Sequence, residues 1–357
     1  MAVLIQSKGR GAVSNASGRY EPEAREPVDD GWTSDDAPKP LRTTLQAENA
    51  RVILSRNDSP DVGFDRSINP YRGCEHGCIY CYARPAHAYM GLSPGLDFES
   101  KLFFKPNAAA LLEAELRKPG YVCQRVHLGG NTDPYQPVER ERGITRSVLE
   151  VLERFDHPIS VITKSNLITR DVDILGRMAA KGLAKAYVSV TTLDRQLART
   201  MEPRAATPQR RLDAVRVLAA AGVPTGVGFA PVIPGLNDHE LEAVLEAAAG
   251  AGASEAMFVM LRLPSEIKDL FAEWLQEARP DRARRVMSLI RQVRGGKAND
   301  PRFGARMVGT GPYADLIAQR FRTACKRFGL NAARYLQDSS RFRVPPRAGD
   351  QTDLFAA

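Results

Sequence analysis

Three cysteines stand close together in this chain of 357 residues, as Cys74, Cys78 and Cys81. Their C-x3-C-x2-C spacing puts all three on one short loop, from Gly73 to Ala83. They cannot all pair as disulfides, because cysteines on one tight loop rarely reach bridging geometry. Three soft thiolates can instead converge on one inorganic centre, and they suit either a [4Fe–4S] cluster or zinc.

The choice between these two centres depends on a fourth ligand. His76 could complete a Cys3His tetrahedron around zinc, although a ring between two of the cysteines reaches a shared ion only awkwardly. A cluster held by three cysteines would leave one iron open to an exogenous ligand. We favour the cluster at Cys74, Cys78 and Cys81, and zinc is the alternative.

Composition indicates an ordinary globular protein. Hydrophobic residues make up 43% of the chain, which is enough for a sizeable core. The sequence has no apolar run of transmembrane length. Apart from the clustered thiols, only Cys123 and Cys325 are present, which fits a reducing compartment and predicts a cytoplasmic location.

Positive charge is concentrated near the C-terminus. The chain has a formal net charge of +8, yet residues 279–347 contain 17 Lys and Arg against 4 Asp and Glu. Such a segment would attract a polyanion and predicts nucleic-acid contact through these basic residues. The alternative is a solvated helical face in an arginine-rich protein.

The pattern of the chain predicts four regions. Residues 1–48 are small, polar and Pro-rich, which is typical of disorder. Residues 49–265 alternate between strand and helix patterns and form the predicted core. Residues 266–343 read as a basic helical extension, and residues 344–357 as a disordered tail.

Within the core, apolar periodicity predicts the individual elements. The predicted strands are 122–128, 159–163, 186–191, 223–232 and 256–263. The predicted helices are 108–116, 145–155, 171–181, 207–221 and 238–251, followed by 266–295 and 312–329. With a stretch near 67–69, this makes six β/α units and predicts an α/β fold with a parallel sheet. The spacing alone leaves a partial barrel, a full barrel and a doubly wound sheet open.

Four motifs resemble those of the radical SAM (S-adenosylmethionine) superfamily. They are Asn-Asp-Ser-Pro-Asp at 57–61, the cysteine loop with its flanks at 67–84, Gly-Leu-Ser-Pro-Gly-Leu-Asp-Phe-Glu at 91–99 and Asn-Thr-Asp-Pro-Tyr-Gln-Pro at 131–137. The chain is similar to the branch related to spore photoproduct lyase, the DNA repair photolyase-like group, within which it matches an uncharacterised bacterial set. The resemblance extends over nearly the whole chain.

This resemblance implies a fold and two cofactors. It implies a partial (β/α)6 TIM-like barrel that binds a [4Fe–4S] cluster and SAM. In this superfamily an electron from the cluster cleaves SAM to methionine and a 5′-deoxyadenosyl radical. A reductant such as flavodoxin or ferredoxin is then required.

The resemblance also implies SAM contacts at the strand ends. Gly129, Gly130 and Asn131 occupy the place of the turn that meets the SAM amine, where glycines permit close approach. Lys164 and Ser189 match a lysine and a serine that lie around SAM in spore photoproduct lyase. Without the resemblance these residues read as an ordinary turn, a rim lysine and a packed serine.

Further candidates lie beside these residues. Gly228 places no side chain on the fifth predicted strand, which leaves the room that adenine binding requires, and Tyr80 would lie on the adenine edge. Glu202 and Arg204 read as a rim ion pair, with substrate contact as the alternative. Asp133 could face the substrate.

One position departs from the family pattern. Spore photoproduct lyase has a hydrogen-donating cysteine after its second strand, whereas this chain has Gly129-Gly130-Asn131-Thr132-Asp133 there. Cys123 comes earlier and reads as a small buried hydrophobe. Thymine-dimer reversal by that mechanism is therefore not expected, and the catalytic residues are unknown.

The tail carries a separate motif. Gln351–Phe355 is similar to the Gln-x-x-Leu-Phe peptides with which bacterial DNA enzymes bind the sliding clamp. Such a peptide binds by burying Leu354 and Phe355 in a pocket. A chance match is the alternative.

These observations predict a radical SAM enzyme, lyase-like, that acts on nucleic acid, either a DNA lesion or a modified base. A second hypothesis keeps the radical chemistry but applies it to a protein or a small metabolite. A third is a nucleic-acid-binding protein without catalysis, held together by zinc or a cluster.

Overall fold

A computed structural model describes residues 9–22 and 41–346 of the chain. Predictions for the other residues, including the clamp peptide at Gln351–Phe355, lie outside the described residues. Within the two described ranges, no helix has both the length and the apolar character that crossing a membrane requires.

The described residues form two sheets. The main sheet has seven strands and the small sheet has three. In chain order the strands are β1 Thr44–Ala47, β2 Leu54–Arg56, β3 Arg66–Ile68, β4 Tyr71–Arg72, β5 Lys101–Phe104, β6 Val126–Leu128, β7 Ile159–Thr163, β8 Ala184–Ser189, β9 Thr225–Val232 and β10 Glu255–Met260.

The main sheet has the strand order β10-β9-β8-β7-β6-β3-β2, and the small sheet has the order β1-β5-β4. In the main sheet only the pair β2 and β3 is antiparallel. The main sheet therefore contains six parallel strands, β3 and β6 to β10. Their order in the sheet is the same as their order along the chain. This confirms the predicted α/β fold with six parallel strands, arranged as a partial barrel.

Helices follow the parallel strands. In chain order the α-helices are α1 Leu96–Ser100, α2 Ala108–Leu116, α3 Glu139–Arg142, α4 Ile144–Arg154, α5 Val172–Ala180, α6 Arg195–Met201, α7 Pro208–Ala220, α8 Leu241–Gly250, α9 Ile267–Ala278, α10 Pro280–Gln292, α11 Ala305–Val308 and α12 Pro312–Arg327. Short 3-10 helices cover Arg84–Ala86, Ala88–Met90, Asn166–Asp171 and Asp238–Glu240.

Two apolar cores hold these layers together. The larger core lies between the sheet and its helices, where Val161 of β7 and Leu218 of α7 are fully buried. The smaller core joins Ile79 of the cysteine loop to Trp274 of α9 and Val286 of α10. Burying one such side chain contributes about 1.5–3 kcal/mol. The cysteine loop is thus anchored on the C-terminal helices as well as on the barrel.

The predicted disorder of residues 1–48 is wrong for two stretches. Residues 9–22 pack against the cysteine loop, with Ala12 and Ser14 buried. Strand β1, at Thr44–Ala47, pairs with β5 in parallel. Both stretches are held by contacts with residues far along the chain, which local composition does not reveal.

Several element boundaries also differ from the prediction. The helix predicted at 266–295 is two helices, α9 and α10, because Pro280 lacks the amide hydrogen that a continuous helix needs and fits a first helical turn instead. The predicted strand 122–128 begins only at Val126, and the predicted strand 186–191 runs from Ala184 to Ser189. The start of the predicted tail still packs, since the Arg117 guanidinium donates to the Pro345 carbonyl at 2.8 Å.

Candidate active site

The cysteine loop follows β4, and its three thiols are close enough to interact electrostatically. Cys74 and Cys78 are buried, Cys81 is partly buried, and none of the three is in a disulfide. The Cys74 amide donates to the Phe98 carbonyl at 3.0 Å, and the Cys81 amide donates to the Cys78 carbonyl at 3.1 Å. These bonds fix the loop without using its side chains, so the thiols remain available as ligands.

Two glycines let the loop turn. Gly73 and Gly77 have φ values of +72° and +67°, which side-chain-bearing residues rarely adopt. A Cβ on Gly77 would also lie 2.6 Å from a carboxylate oxygen of Glu99. Both the conformation and the lack of space therefore require glycine at Gly77.

The Arg84 side chain holds the cysteine loop through its backbone carbonyls. Its fully buried guanidinium donates to the carbonyls of Gly77 at 3.1 Å, Cys78 at 2.9 Å and Gly95 at 2.9 Å. It also forms an ion pair with the buried Glu99 at 2.5 Å. Sequence reasoning missed this role, because nothing in the sequence shows which carbonyls an arginine will reach.

A segment that we call the N-terminal strap, residues 9–22, covers the other side of Glu99. The amides of Gly11 and Ala12 each donate to the Glu99 carboxylate at 2.8 Å. A Cβ on Gly11 would lie 1.8 Å from the Gly77 carbonyl oxygen. The strap thus presses directly on the cysteine loop, and only glycine fits at the point of contact.

The Gly129–Asn131 turn is tied to the cysteine loop by a hydrogen bond. Gly129 has φ +95°, and a Cβ there would lie 2.4 Å from the Ile162 carbonyl oxygen. The Gly130 carbonyl accepts a hydrogen bond from the Tyr82 hydroxyl. The amide of the exposed Asn131 donates to the side-chain oxygen of Asn69 at 2.9 Å, a contact that sequence reasoning missed.

Lys164 and Tyr80 lie together beside Cys78. The Lys164 ammonium is 5.7 Å from the centroid of the Tyr80 ring, within cation–π range. Burial lowers the pKa of Lys164, but the Cys78 sulfur in its thiolate form and the Glu202 carboxylate outweigh burial and raise it. The site therefore contains a protonated ammonium next to the proposed cluster ligands.

Glu202 is not the partner of Arg204, so the predicted rim ion pair is wrong. The buried Glu202 carboxylate pairs with the buried Arg211 and accepts a hydrogen bond from the Tyr80 hydroxyl. Burial raises the pKa of Glu202, but Arg211 and then Lys164 outweigh burial and hold it at about 2. The Glu202 carboxylate therefore holds the Tyr80 hydroxyl in place.

Arg204 and Asp133 also have protein partners. Arg204 forms an ion pair with Glu75. The Asp133 carboxylate accepts from the Thr163 hydroxyl at 2.6 Å and from the Lys164 amide at 2.8 Å. Asp133 thus joins the ends of β6 and β7, and its carboxylate is occupied by protein donors.

Ser189 and Gly228 are neighbours in the sheet. They are paired residues at the carboxyl end of β8 and in β9. A Cβ on Gly228 would lie 3.5 Å from the Ser189 hydroxyl oxygen, an ordinary contact. The wall beside the serine is therefore thin but closely packed, at the end of the sheet where barrels of this kind hold their ligands.

Comparisons with known proteins identify the family of this chain. The sequence model of the radical SAM superfamily matches residues 68–248. The chain belongs to the radical SAM superfamily. That family implies a [4Fe–4S] cluster and SAM as cofactors.

Two relatives carry the descriptions of uncharacterised proteins. Rv2578c of Mycobacterium tuberculosis H37Rv is 36% identical over 231 residues, which covers 64% of this chain and 68% of the relative. MJ0683 of Methanocaldococcus jannaschii is 26% identical over 173 residues, or 48% of this chain and 62% of the relative.

Solved structures of spore photoproduct lyase share the fold. The complex of that enzyme with dinucleoside spore photoproduct has a TM-score of 0.60 and 17% identity, and 80% of each chain is covered. A variant with bound AdoMet and dinucleoside spore photoproduct has a TM-score of 0.59 at the same identity and coverage. At this identity the likeness shows the fold alone.

The donor set of this radical SAM protein fits an iron–sulfur cluster. Burial raises the pKa of all three thiols, that of Cys78 to about 12, and coordination by a metal is what deprotonates a buried thiol. Among the described residues, no three His, Cys, Asp or Glu side chains gather around one point as ligands of a single ion. His76 instead has its Nδ1 3.3 Å from the Asp133 carboxylate.

The two remaining cysteines lie elsewhere. Cys123 precedes β6 and so lies at the amino end of the sheet, opposite the cysteine loop. Cys325 is buried in α12. Neither thiol takes the place of the missing cysteine after β6.

Proposed function

We propose that this protein cleaves SAM reductively and uses the resulting radical on nucleic acid, either a DNA lesion or a modified base. The observation that carries the proposal is the cysteine loop at the carboxyl ends of parallel strands, which holds three free thiols and has the Lys164 ammonium over its Tyr80 ring. When bound, the cluster and SAM supply one-electron cleavage of SAM to methionine and a 5′-deoxyadenosyl radical. The electron would come from a carrier of the flavodoxin or ferredoxin type.

The chain's own residues would bind and orient the cofactors. Cys74, Cys78 and Cys81 would hold the cluster. The Lys164 ammonium is the charge complement of the SAM carboxylate. Tyr80, fixed by Glu202, would form one wall of the SAM site.

Three further positions would complete the SAM site. The backbone at Gly129 and Gly130 is open to close approach by the SAM amine, and Asn131 lies exposed beside it. Ser189 would donate a hydrogen bond to SAM, and Gly228 would leave space for the adenine. Burial of the loop between the N-terminal strap and α9 would exclude water from the reaction.

The basic segment supports nucleic-acid binding in part. Arg294 is buried, while Arg306, Arg320 and Arg343 pair with acidic residues outside the segment. These four arginines therefore add little to the surface charge. The segment's attraction for a polyanion would rest on the exposed arginines of helix α10.

Helix α10 carries exposed positive charge. Arg284, Arg285 and Arg291 are exposed and have no ion pair among the described residues. A Cβ on Gly235, in the loop after β9, would meet Leu289 of α10 at 2.9 Å, so α10 packs at the carboxyl end of the sheet. The three arginines therefore lie at the end of the barrel where the radical would form.

The test is whether nucleic acid stimulates SAM cleavage. The reconstituted protein would be incubated anaerobically with SAM, dithionite and either intact DNA, ultraviolet-irradiated DNA, RNA, a protein extract or a metabolite extract. The proposal predicts that 5′-deoxyadenosine formation rises with one of the nucleic acids and that a modified nucleotide appears. Stimulation by the protein or metabolite extract alone would contradict the nucleic-acid assignment and favour the other substrate classes.

A further inference from the structure

A positively charged side chain without a carboxylate partner lies at the carboxyl end of β10. Arg262 follows this strand by two residues and is partly buried. Among the described residues, no carboxylate lies within ion-pair distance of its guanidinium. Its Nε has no hydrogen-bond partner, and its Nη1 reaches only the sulfur of Met307 at 3.7 Å.

Two other arginines lie near Arg262 and make this region more positive. Arg306 pairs with Asp61, and Arg294 donates to the carbonyls of Met260 and Leu261. Burial, and after it the charge of Arg306, lower the pKa of Arg262. Three guanidiniums thus converge at the end of β10, and in the part of the chain that the structure describes the only acidic group bonded to any of them is that of Asp61.

Arg262 also faces the catalytic centre. Its guanidinium lies 5.6 Å from the centroid of the Tyr82 ring, and Tyr82 directly follows Cys81. The Tyr82 hydroxyl in turn donates to the Gly130 carbonyl. Arg262 is therefore next to both the cysteine loop and the glycine turn, on the side formed by the last parallel strand.

A partly buried guanidinium is costly unless an anion meets it. Its planar fork matches the two oxygens of a phosphate better than an ammonium does. We propose that Arg262 binds a backbone phosphate of the nucleic-acid substrate and so places the adjoining nucleotide beside the cysteine loop. This inference rests on the proposed function and gives it a specific anchor.

The test measures binding of a fluorescein-labelled single-stranded oligothymidylate to the cluster-loaded protein by fluorescence anisotropy. Arg262→Gln is expected to weaken binding roughly ten- to hundredfold, as for loss of a charge-assisted hydrogen-bonded contact. The slope of log affinity against log salt should fall by about 0.7, the value for one phosphate of a single strand. Arg262→Lys should bind with intermediate affinity, because it keeps the charge but loses the fork.

Arg327→Gln is the matched control. The Arg327 guanidinium also lies over an aromatic ring, that of Phe328 at 5.2 Å, but it is exposed at the end of α12. Shortly after Arg327 in the chain, the Asn331 amide donates to the carbonyl of Ser254, which lies just before β10. Arg327 is therefore near the amino end of the sheet. This variant should bind the oligonucleotide as the parent does.

Two results would overturn the inference. If the parent binds the oligonucleotide and both Arg262 variants bind it equally well, the phosphate anchor is wrong while the proposed function stands. If the parent forms 5′-deoxyadenosine but binds no oligonucleotide, the nucleic-acid substrate and the anchor fall together. Iron content and circular dichroism of Arg262→Lys separate lost binding from lost folding.

Discussion

Arg84 and Glu99 form a buried ion pair directly behind the cysteine loop. Each has further partners, since Arg84 reaches loop carbonyls and Glu99 receives two amides of the N-terminal strap. Removing one member of such a pair leaves an uncompensated buried charge. The position of the thiols therefore depends on two residues that are not among the proposed cluster ligands.

Arg84→Met should destabilise the protein by about 3–5 kcal/mol, because Glu99 is then left buried without its cation. Urea unfolding of the anaerobic protein measures the change in the free energy of unfolding. Arg177→Met is the control, since the exposed pair of Arg177 with Glu153 should contribute little to stability. Equal losses in the two variants would contradict the role of Arg84.

Lys164→Met should weaken binding of SAM to the cluster-loaded protein roughly ten- to hundredfold, because a charge-assisted contact with a carboxylate is lost. Isothermal titration with SAM under anaerobic conditions measures the dissociation constant. Lys181→Met, which removes a partly exposed lysine paired with Asp156, should leave SAM affinity unchanged. Unchanged affinity in Lys164→Met would show that this ammonium does not meet SAM.

At the scale of elements, the N-terminal strap is the part of the fold that most directly affects the site. Beyond its contacts with Glu99, its Asn15 side chain exchanges hydrogen bonds with Asp97 of α1 at 2.9 and 3.0 Å. Its Ser14 hydroxyl donates to Glu273 of α9 at 2.5 Å. The strap therefore joins the loop, α1 and α9, and it covers the cysteine loop on one side.

Gly11→Ala should push the strap away from the loop, because the new Cβ cannot occupy a position 1.8 Å from the Gly77 oxygen. We expect the cluster to bleach several times faster in air, measured by its visible absorbance. Ala16→Ser also adds one heavy atom to the strap, but at an exposed position, and should bleach like the parent. Equal bleaching rates in all three proteins would show that the strap does not shield the cluster.

Local sequence patterns predicted the elements well where the relevant contacts are local. Strand β7 and helix α2 have the predicted boundaries, because apolar periodicity and flanking turn residues are local signals. The strap was missed because Gly11 and Glu99 are 88 residues apart. The spacing of the cysteines predicted that they share one loop, whereas the 131–137 motif did not reveal that the Gln136 side-chain amide holds the backbone at Gly73 and Glu75.

At the scale of the whole molecule, one contact links the two edges of the open sheet. Asp61 lies in the loop between β2 and β3, at one edge. Its carboxylate pairs with Arg306 and accepts a hydrogen bond from the Gly304 amide. Both residues come later in the chain than β10 and lie at the other edge. The 57–61 motif thus contributes to closing the side of the partial barrel next to the proposed phosphate anchor.

Asp61→Asn should loosen this closure by about 1–3 kcal/mol, because Arg306 loses its charged partner. Hydrogen exchange of residues 57–65 should then become faster while exchange in β7 stays unchanged. Asp58→Asn, at an exposed position of the same loop, should have no effect. Unchanged exchange in Asp61→Asn would contradict a link between the two edges.

Formation of 5′-deoxyadenosine tests the central claim most directly. The protein would be reconstituted anaerobically with iron and sulfide, then incubated with SAM and dithionite. The account predicts a brown protein that forms 5′-deoxyadenosine, loses this activity in Cys78→Ser and keeps it in Cys325→Ser. A colourless protein that binds one zinc ion and forms no 5′-deoxyadenosine would contradict it.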